Sequence, residues 1–156
     1  KLIKKNFLVK GSTTSFNKID KIEAEKIEAH LLLVEEKKII GNISDFLKNV
    51  KTLIINFPPS KTTLGKYSKK VQKIISEVKK SNVKNILFIS STSVYGHNEG
   101  IINYDCIPIP SSFRGNEILK AEKIIQGFKH SCIIRFGGLI GKDRNPAISL
   151  SNKKNA

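Results

Sequence analysis

The residue types that most often bind metals or form covalent bonds are few and scattered in this sequence. The two cysteines, Cys106 and Cys132, have no second cysteine or histidine at ligand spacing, so no metal site and no disulfide framework is expected. Unpaired cysteines are typical of a reducing compartment, and we expect the protein to be cytoplasmic. His97 follows a serine-rich turn and is a candidate for a role there, whereas His30 and His130 lie where strands are predicted to begin.

Positive charge is the strongest compositional signal. The 156 residues include 28 Lys and Arg against 13 Asp and Glu, a net charge of +15, and such a balance attracts phosphate. The lysines form no dominant block, and only three residues are arginine, namely Arg114, Arg135 and Arg144. Base-reading proteins favour arginine, and single-strand binders place aromatic side chains among the charges. A nucleic-acid-binding role is therefore a disfavoured alternative.

Length and hydropathy indicate one domain. The chain is 39% hydrophobic, which is enough for one core and too little for two. No apolar run approaches the roughly 20 residues of a membrane span, and the first residues lack the apolar segment of a signal peptide. We expect residues 1–148 to form one domain and residues 149–156 to begin a further, truncated region.

Hydrophobic periodicity predicts strands alternating with helices along the chain. The predicted strands are uniformly apolar, which is typical of a parallel sheet covered on both faces. We therefore predict an α/β fold built on a doubly wound parallel sheet. The predicted strands are 6–10, 30–34, 52–57, 83–89 and 131–136, and the predicted helices are 18–29, 45–49, 62–80 and 116–128.

The glycine pattern that opens most dinucleotide-binding units is absent. Such a unit begins with a strand followed by G-x-G-x-x-G, whose backbone amides hold the pyrophosphate. None of the ten glycines falls in that pattern, and the opening KLIKK looks like the end of a helix. Either the fold has no such loop or, as we expect, the sequence is a fragment that starts inside the first helix and is incomplete at both ends.

Three stretches, in order and spacing, resemble the extended short-chain dehydrogenases/reductases of the NAD(P)-dependent epimerase/dehydratase-like family. They are IIGNISDFL with TLIINFPPSK, then ILFISSTSVYG, then IIRFGGLIGKDRNP. The phrases NFPPS and RFGGLIG look closest to a small YeeZ-like bacterial branch. The resemblance covers nearly the whole chain and implies an NAD(P)-binding Rossmann-like fold.

The resemblance also implies which nucleotide is bound. Ser12, Thr13 and Thr14 fall where the adenosine ribose would lie, and no acid is present there to bind the 2′-hydroxyl of NAD. Small hydroxyls beside Lys10 suit a 2′-phosphate better. NADP is therefore the expected cofactor, with NAD as the alternative.

Further cofactor contacts follow from the same resemblance. One pair would meet the adenine ring, one loop would pass beneath the ribose and diphosphate, and one turn would lie beside the nicotinamide, where glycines let the backbone approach closely. In that order they are Asn42 and Ile43; Phe57, Pro58, Pro59 and Lys61; and Phe136, Gly137, Gly138 and Leu139, with Ser90 as an additional contact.

The catalytic groups match the family only in part. The family uses a Ser or Thr that binds the reacting oxygen, a Tyr that transfers its proton, and a Lys four residues further on that lowers the pKa of the phenol from about 10. Ser91 stands at the first position. Aligning Glu122 with the family's helix glutamate places Arg114 and Ile118 where the Tyr and Lys would be. Tyr95 is expected to pack, so Ser91 is the catalytic candidate, while Arg114 either binds an anionic substrate group or lies on the surface.

Three functions stay open at this point. The first is an NAD(P)-dependent epimerase, dehydratase or reductase that acts on a nucleotide-sugar or similar polar small molecule through an atypical active site. The second is a non-catalytic NAD(P)-binding sensor or scaffold, which the missing Tyr/Lys pair favours. The third is the basic nucleic-acid-binding domain. No membrane partner is expected, and the helices 62–80 and 116–128 are those through which family members form homodimers.

Overall fold

The computed structural model describes residues 1–59, 65–97, 100–141, 145 and 151. Strands and helices alternate along this part of the chain, which confirms the predicted α/β class. The strands are β1 (Lys10–Thr13), β2 (Glu28–Leu31), β3 (Leu33–Val34), β4 (Ile39–Ile40), β5 (Thr52–Ile55), β6 (Asn85–Ser91) and β7 (Ser131–Phe136). The α-helices are α1 (Ile19–Glu23), α2 (Ile43–Leu47), α3 (Tyr67–Val78) and α4 (Phe113–Gln126).

Parallel pairing dominates the sheets, as the uniformly apolar strands predicted. The largest sheet has the order β5-β6-β7, with Ile55 opposite Phe88 and Ser91 opposite Phe136. Strands β1 and β2 form a second parallel pair, and β3 and β4 form a short antiparallel hairpin. Within the described residues, β1 and β5 are each paired along one edge only.

The core lies between the three-stranded sheet and the pair of helices α3 and α4. Alternate residues of β5 and β6 point into it, because successive side chains of a strand face opposite sides. The other side of β5 is more open, since Ile54 is 48% exposed. The buried members of this core include Leu53, Ile55, Ile86, Phe88, Val71, Ile75, Val78, Ile118, Ala121 and Ile125.

Helix α2 connects the β1–β2 pair to the rest of the fold. The Lys10 ammonium lies 2.9 Å from a carboxylate oxygen of Glu28 and 3.0 Å from the carbonyl oxygen of Asp45. The rings of His30 and Phe46 meet edge to face, with centroids 5.2 Å apart. Glu28, His30 and Asp45 also place ligand-type atoms within 4.8 Å of one another, and the Lys10 ammonium pairs with the Glu28 carboxylate of this group.

Several predicted boundaries were wrong at the amino-terminal end. The strand predicted at 6–10 instead runs from Lys10 to Thr13, and Leu8 is fully exposed. Gly11 lies within this strand, and a Cβ there would lie 3.1 Å from Cγ2 of Ile27, so the absence of a side chain allows close packing between the strand and Ile27. The helix predicted at 18–29 ends early, since Lys26 adopts a left-handed φ of 59° and the chain then enters β2.

Helix α4 begins three residues before the predicted start at 116. Ser112 is its N-cap, and the Ser112 hydroxyl accepts a hydrogen bond of 3.0 Å from the Gly115 amide. Helix α3 begins at Tyr67 after a turn at residues 65–66, and residues 62–64 of the predicted helix 62–80 lie outside the described part of the chain. The domain boundary predicted at 148 also lies outside it.

A buried carboxylate joins α3 to α4. Glu117 is 1% exposed, and its Oε2 accepts hydrogen bonds from the backbone amide (3.2 Å) and the hydroxyl (3.0 Å) of Ser68. Its Oε1 lies 2.9 Å from the ammonium of Lys120. Burial alone would raise the pKa of Glu117, but the hydrogen bonds from Lys120 and Ser68 outweigh it and hold the pKa below its usual value. A negative charge beside the first turn of α3 also suits the helix dipole.

We expect this carboxylate to make stability depend on acid. Because the folded state holds Glu117 ionised more firmly than the unfolded state does, its contribution is present above pH 4.5 and is lost as the pH falls below that value. Glu117→Gln should lower the free energy of unfolding at neutral pH by about 1–3 kcal/mol. It should also flatten the acid limb of the profile, measured by urea denaturation across a pH series.

The matched control is Glu77→Gln on α3. The Glu77 carboxylate pairs with Lys73 at 3.4 Å and with the exposed Lys80 at 3.1 Å, and surface pairs of this kind contribute little. A loss in Glu77→Gln as large as that in Glu117→Gln would contradict the assigned role of the buried carboxylate.

Candidate functional site

The candidate site lies where the parallel strands end. In parallel α/β sheets, ligands bind beyond the carboxyl ends of the strands, because loops and helix N-termini converge there. Strand β5 is followed by Phe57, Pro58 and Pro59, β6 ends at Ser91, and β7 ends at Phe136. Three groups of predicted site residues therefore share one edge of the same sheet.

The turns after β6 and β7 lie side by side. Ser91 caps a 3-10 turn formed by Thr92–Tyr95, and its hydroxyl accepts a hydrogen bond of 3.2 Å from the Ser93 amide. Ser91 is the register partner of Phe136, and a Cβ at Gly137 would lie 3.8 Å from the Thr92 hydroxyl. The catalytic candidate and the predicted nicotinamide-side residues are thus neighbours. Gly138 and the exposed Leu139 continue this edge into open space.

A buried charge network lies directly behind that edge. The Glu122 carboxylate, which is 0% exposed, accepts a hydrogen bond of 2.5 Å from the Ser90 hydroxyl. It also accepts two hydrogen bonds from Arg135, at 3.0 and 2.8 Å, in the two-pronged geometry that guanidinium and carboxylate favour. The hydrogen bonds that Arg135 donates to the Glu122 carboxylate raise the pKa of Arg135 above its already high value. The Ser90 hydroxyl is therefore engaged inside the protein, and any cofactor contact at this residue would have to use its backbone.

Tyr95 completes the network. It is 5% exposed, and its hydroxyl accepts a hydrogen bond of 2.6 Å from Arg135 and donates one of 3.2 Å to the carbonyl oxygen of Asn103. The Arg135 guanidinium also lies 4.9 Å from the centre of the Tyr95 ring. The prediction that Tyr95 packs holds, but sequence reasoning missed its polar link to Arg135. This link depends on the pairing of β6 with β7, which places Arg135 opposite Ser90. No local sequence pattern predicts that pairing.

The positions aligned with the family's Tyr and Lys carry neither function here. Ile118 is 5% exposed and belongs to the core. Arg114 is exposed in the first turn of α4. Burial raises the pKa of Tyr67, and the charge of Arg114 acts against that rise. Tyr67 in turn donates a hydrogen bond of 3.0 Å to the carbonyl oxygen of Phe57, so the arginine lies on the same side of the fold as the loop after β5.

The predicted adenine contact at Asn42 has a second role. Asn42 is the N-cap of α2, and its amide oxygen accepts hydrogen bonds from the Asp45 amide (3.1 Å) and the Ser44 hydroxyl (2.8 Å). That oxygen is the group of Asn42 that could accept a hydrogen bond from the exocyclic amine of adenine. The side-chain NH₂ is the group left over, and it suits a ring nitrogen better. Ile43 is the first residue of the same helix.

The ribose-side residues occupy the end of β1. Thr13 is the last residue of the strand and accepts a hydrogen bond of 3.1 Å from the Ser15 amide, while Ser12 and Thr14 are exposed. Lys10 begins the same strand, about 10 Å from Thr13 at the usual rise per residue, and its ammonium is bonded to Glu28 and Asp45. It therefore does not stand beside the hydroxyls, and the expected preference for NADP loses that support. Lys61 lies outside the described residues.

Two cavities border the described part of the fold, and the second of them reaches Thr92 in the turn after β6. One of about 470 Å³ lies between α2 and the end of α3, beside Asn42 and Asn82. The other, of about 570 Å³, lies along the outer side of β7 and is lined in part by Tyr95, Tyr104 and Arg135. No helix in the described part of the chain is long and apolar enough to cross a membrane.

Backbone contact fixes the start of α4 against the Ser91–Tyr95 turn. A Cβ at Gly115 would lie 2.5 Å from the Ser93 carbonyl oxygen and 2.9 Å from Cβ of Pro110. We expect Gly115→Ala to destabilise the protein by about 1–3 kcal/mol through overpacking, although Ala is the better helix former. Thermal unfolding is the measurement.

Gly138→Ala is the control, because a Cβ there meets open space. It should change the free energy of unfolding by less than about 0.5 kcal/mol. Equal stability of wild type and Gly115→Ala would show that the contact between α4 and the turn is looser than described.

Sequence comparison shows that the chain is similar to YeeZ of Escherichia coli. YeeZ from Escherichia coli strain K12 is 25% identical over 150 residues, which cover 93% of this chain and 55% of YeeZ. The chain thus spans about half the length of the curated relatives it matches. No protein-family model matches it.

The chain is also similar to solved structures that contain NAD. MoeE5 in complex with UDP-glucuronic acid and NAD is 26% identical, with a TM-score of 0.58 over 70% of this chain and 42% of that chain. UDP-glucuronic acid 4-epimerase from Bacillus cereus, in complex with UDP-glucuronic acid and NAD, is 18% identical, with a TM-score of 0.70 over 93% of this chain and 53% of that chain. The predicted resemblance to the epimerase/dehydratase-like short-chain dehydrogenases, and the Rossmann-like fold that it implied, are confirmed.

Proposed function

We propose that this chain forms the cofactor-binding part of an NAD(P)-binding, epimerase/dehydratase-like protein that acts on a nucleotide-sugar or a similar polar small molecule. The observation that carries the proposal is the shared strand-end edge formed by Phe57, Ser91 and Phe136. The nucleotide-sugar class is supported by MoeE5 and the Bacillus cereus epimerase, both of which are complexes with UDP-glucuronic acid and NAD. A cytoplasmic location is part of the proposal, because Cys106 and Cys132 are free thiols.

The active site departs from the usual chemistry of the family. Ser91 offers a hydroxyl at the strand-end edge, while Arg114 and Ile118 replace the proton-transferring pair. A core isoleucine cannot move a proton, and a guanidinium stays charged at any working pH. These two residues favour a second candidate function, in which the protein binds NAD(P) and senses or scaffolds without turnover. Substrate-dependent change in cofactor absorbance separates the two functions.

A homodimer through α3 and α4 stays a prediction. The outward sides of both helices carry exposed lysines, among them Lys69 and Lys120. Two copies meeting on these sides would bring like charges together, which costs free energy unless acidic side chains intervene. Salt-dependent association would be the expected behaviour of such a dimer.

The choice of cofactor is tested by calorimetry. We propose that NADPH binds more tightly than NADH, because the end of β1 offers Ser12, Thr13 and Thr14 and no acid. Titration of the full chain, produced from its native coding sequence, should show this difference. Ser12→Asp or Thr13→Asp should weaken NADPH at least about tenfold by repelling the 2′-phosphate, and should leave NADH binding unchanged or improved.

Thr52→Asp is the matched control. Thr52 begins β5, at the opposite edge of the sheet from the strand ends, and is exposed. The same added charge there should leave both affinities within about twofold of wild type, since exposed charges farther apart than about 10 Å are largely screened. Absence of binding by either nucleotide to folded protein would overturn the proposed function. Equal loss in all three variants would overturn the ribose assignment alone.

A further inference from the structure

The network behind the strand-end edge connects elements that no local sequence pattern links. We propose that Glu122 and Arg135 are positioning residues, which clamp the turn Ser91–Tyr95 from both of its ends and so hold the Ser91 hydroxyl at the edge of the sheet. This inference rests on the proposed function, since it assigns those residues a task in the same site.

The clamp is visible in the contacts at each end of the turn. At its beginning, Ser90 donates to Glu122 at 2.5 Å. At its end, Tyr95 accepts from Arg135 at 2.6 Å. Arg135 and Glu122 are joined by two hydrogen bonds, so the two ends are linked through one rigid pair.

The network acts on Ser91 through the backbone and not by contact. Ser90 and Arg135 are register partners on neighbouring strands, and both side chains are directed at α4 through Glu122. Ser91 and Phe136 are the next residues along each strand, so their side chains face the other side of the sheet. Glu122 therefore fixes the backbone of the two strand ends, while the Ser91 side chain faces a ligand bound on the other side of the sheet.

Stability alone does not account for such a network. A buried ion pair is often no more stabilising than well-packed apolar side chains of the same volume, because desolvation cancels much of the attraction. The pair instead fixes the relative orientation of its neighbours, since the planar guanidinium of Arg135 can donate to Glu122 and Tyr95 together in one geometry only. A positioning role predicts that removing single links will disturb the site more than it disturbs the fold.

Tyr95→Phe is the mildest of three substitutions that disrupt the network, because it removes only the hydroxyl that Arg135 contacts and leaves the ring in place. Glu122→Gln removes the charge at nearly constant volume, and Arg135→Lys keeps a charge but loses the fork. All three should bind NADPH about tenfold or more weakly than wild type by calorimetry on the full chain, under conditions where circular dichroism shows folded protein. Arg135→Lys should not rescue the affinity.

Glu117→Gln is the matched control, because Glu117 is the other buried glutamate of α4 and its bonds go to Ser68 and Lys120 instead. It should reduce stability and leave the NADPH affinity within about twofold of wild type, since none of its bonds reaches the turn.

Amide resonances of Ser91 and Ser93 in ¹⁵N–¹H spectra provide the second readout, which needs no cofactor. They should shift or broaden in Tyr95→Phe and Glu122→Gln and stay in place in Glu117→Gln. Unmoved resonances in Tyr95→Phe and Glu122→Gln, or wild-type affinity in both while wild type binds NADPH, would overturn the positioning role. A wild type that binds no nucleotide while the resonances respond would overturn the proposed function and leave the clamp standing.

Discussion

A carboxylate that is removed from water has to be paired, and the network that pairs Glu122 with Ser90 and Arg135, and Arg135 with Tyr95, joins four parts of the fold. Helix α4 supplies the carboxylate, β6 supplies Ser90, β7 supplies Arg135, and the turn after β6 supplies Tyr95. Slipping β7 by one residue against β6 would turn the Arg135 side chain to the opposite face and leave a buried charge without its partner. The pairing of Glu122 thus favours the observed register of the two strands and with it the level at which they end.

The same helix carries a second buried carboxylate for a different purpose. Glu117 and Glu122 are five residues apart, which places them about 140° apart around the helix at the usual 100° per residue. One consequently faces the start of α3 and the other faces the sheet. Helix α4 is therefore held on two sides by charged groups, while Ile118, Ala121 and Ile125 fill the space between them.

Much of the architecture was predictable because it depends on apolar content that is local in sequence. Strand β7 was predicted at its observed bounds, and β5 and β6 within two residues, since their runs of Ile, Leu and Phe serve a core covered by helices. Strand β1 was misplaced because its residues are Lys, Gly, Ser and Thr. Its position depends on pairing with β2 and on the close contact between Gly11 and Ile27. Neither contact can be inferred from the sequence of the strand by itself.

The candidate site shows the same division. Motif spacing led to Ser91 and to the residues around Phe136, and the structure brings these two together at one edge. Glu122 was used only as an alignment marker and Arg135 was counted only as a charge, because a salt bridge between a helix and the next strand leaves no periodic trace. Asn42 was predicted to contact the adenine ring, whereas in the structure its amide oxygen caps helix α2. The roles of side chains that cap helices or form buried hydrogen-bond networks are thus the ones that could not be assigned from the sequence alone.

The absent proton-transferring pair is embedded in this packing and is more than a local substitution. Position 118 follows Glu117 directly and lies one turn before Glu122, so its side chain enters the core between the two carboxylates. A lysine there would carry its charge into the hydrophobic core, which is costly without a partner. The chain retains the network that places the Ser91 hydroxyl at the strand ends, but helix α4 packs a neutral side chain, Ile118, at the position of the lysine. The catalytic role proposed for Ser91 therefore requires a proton-transferring group at a position other than 118.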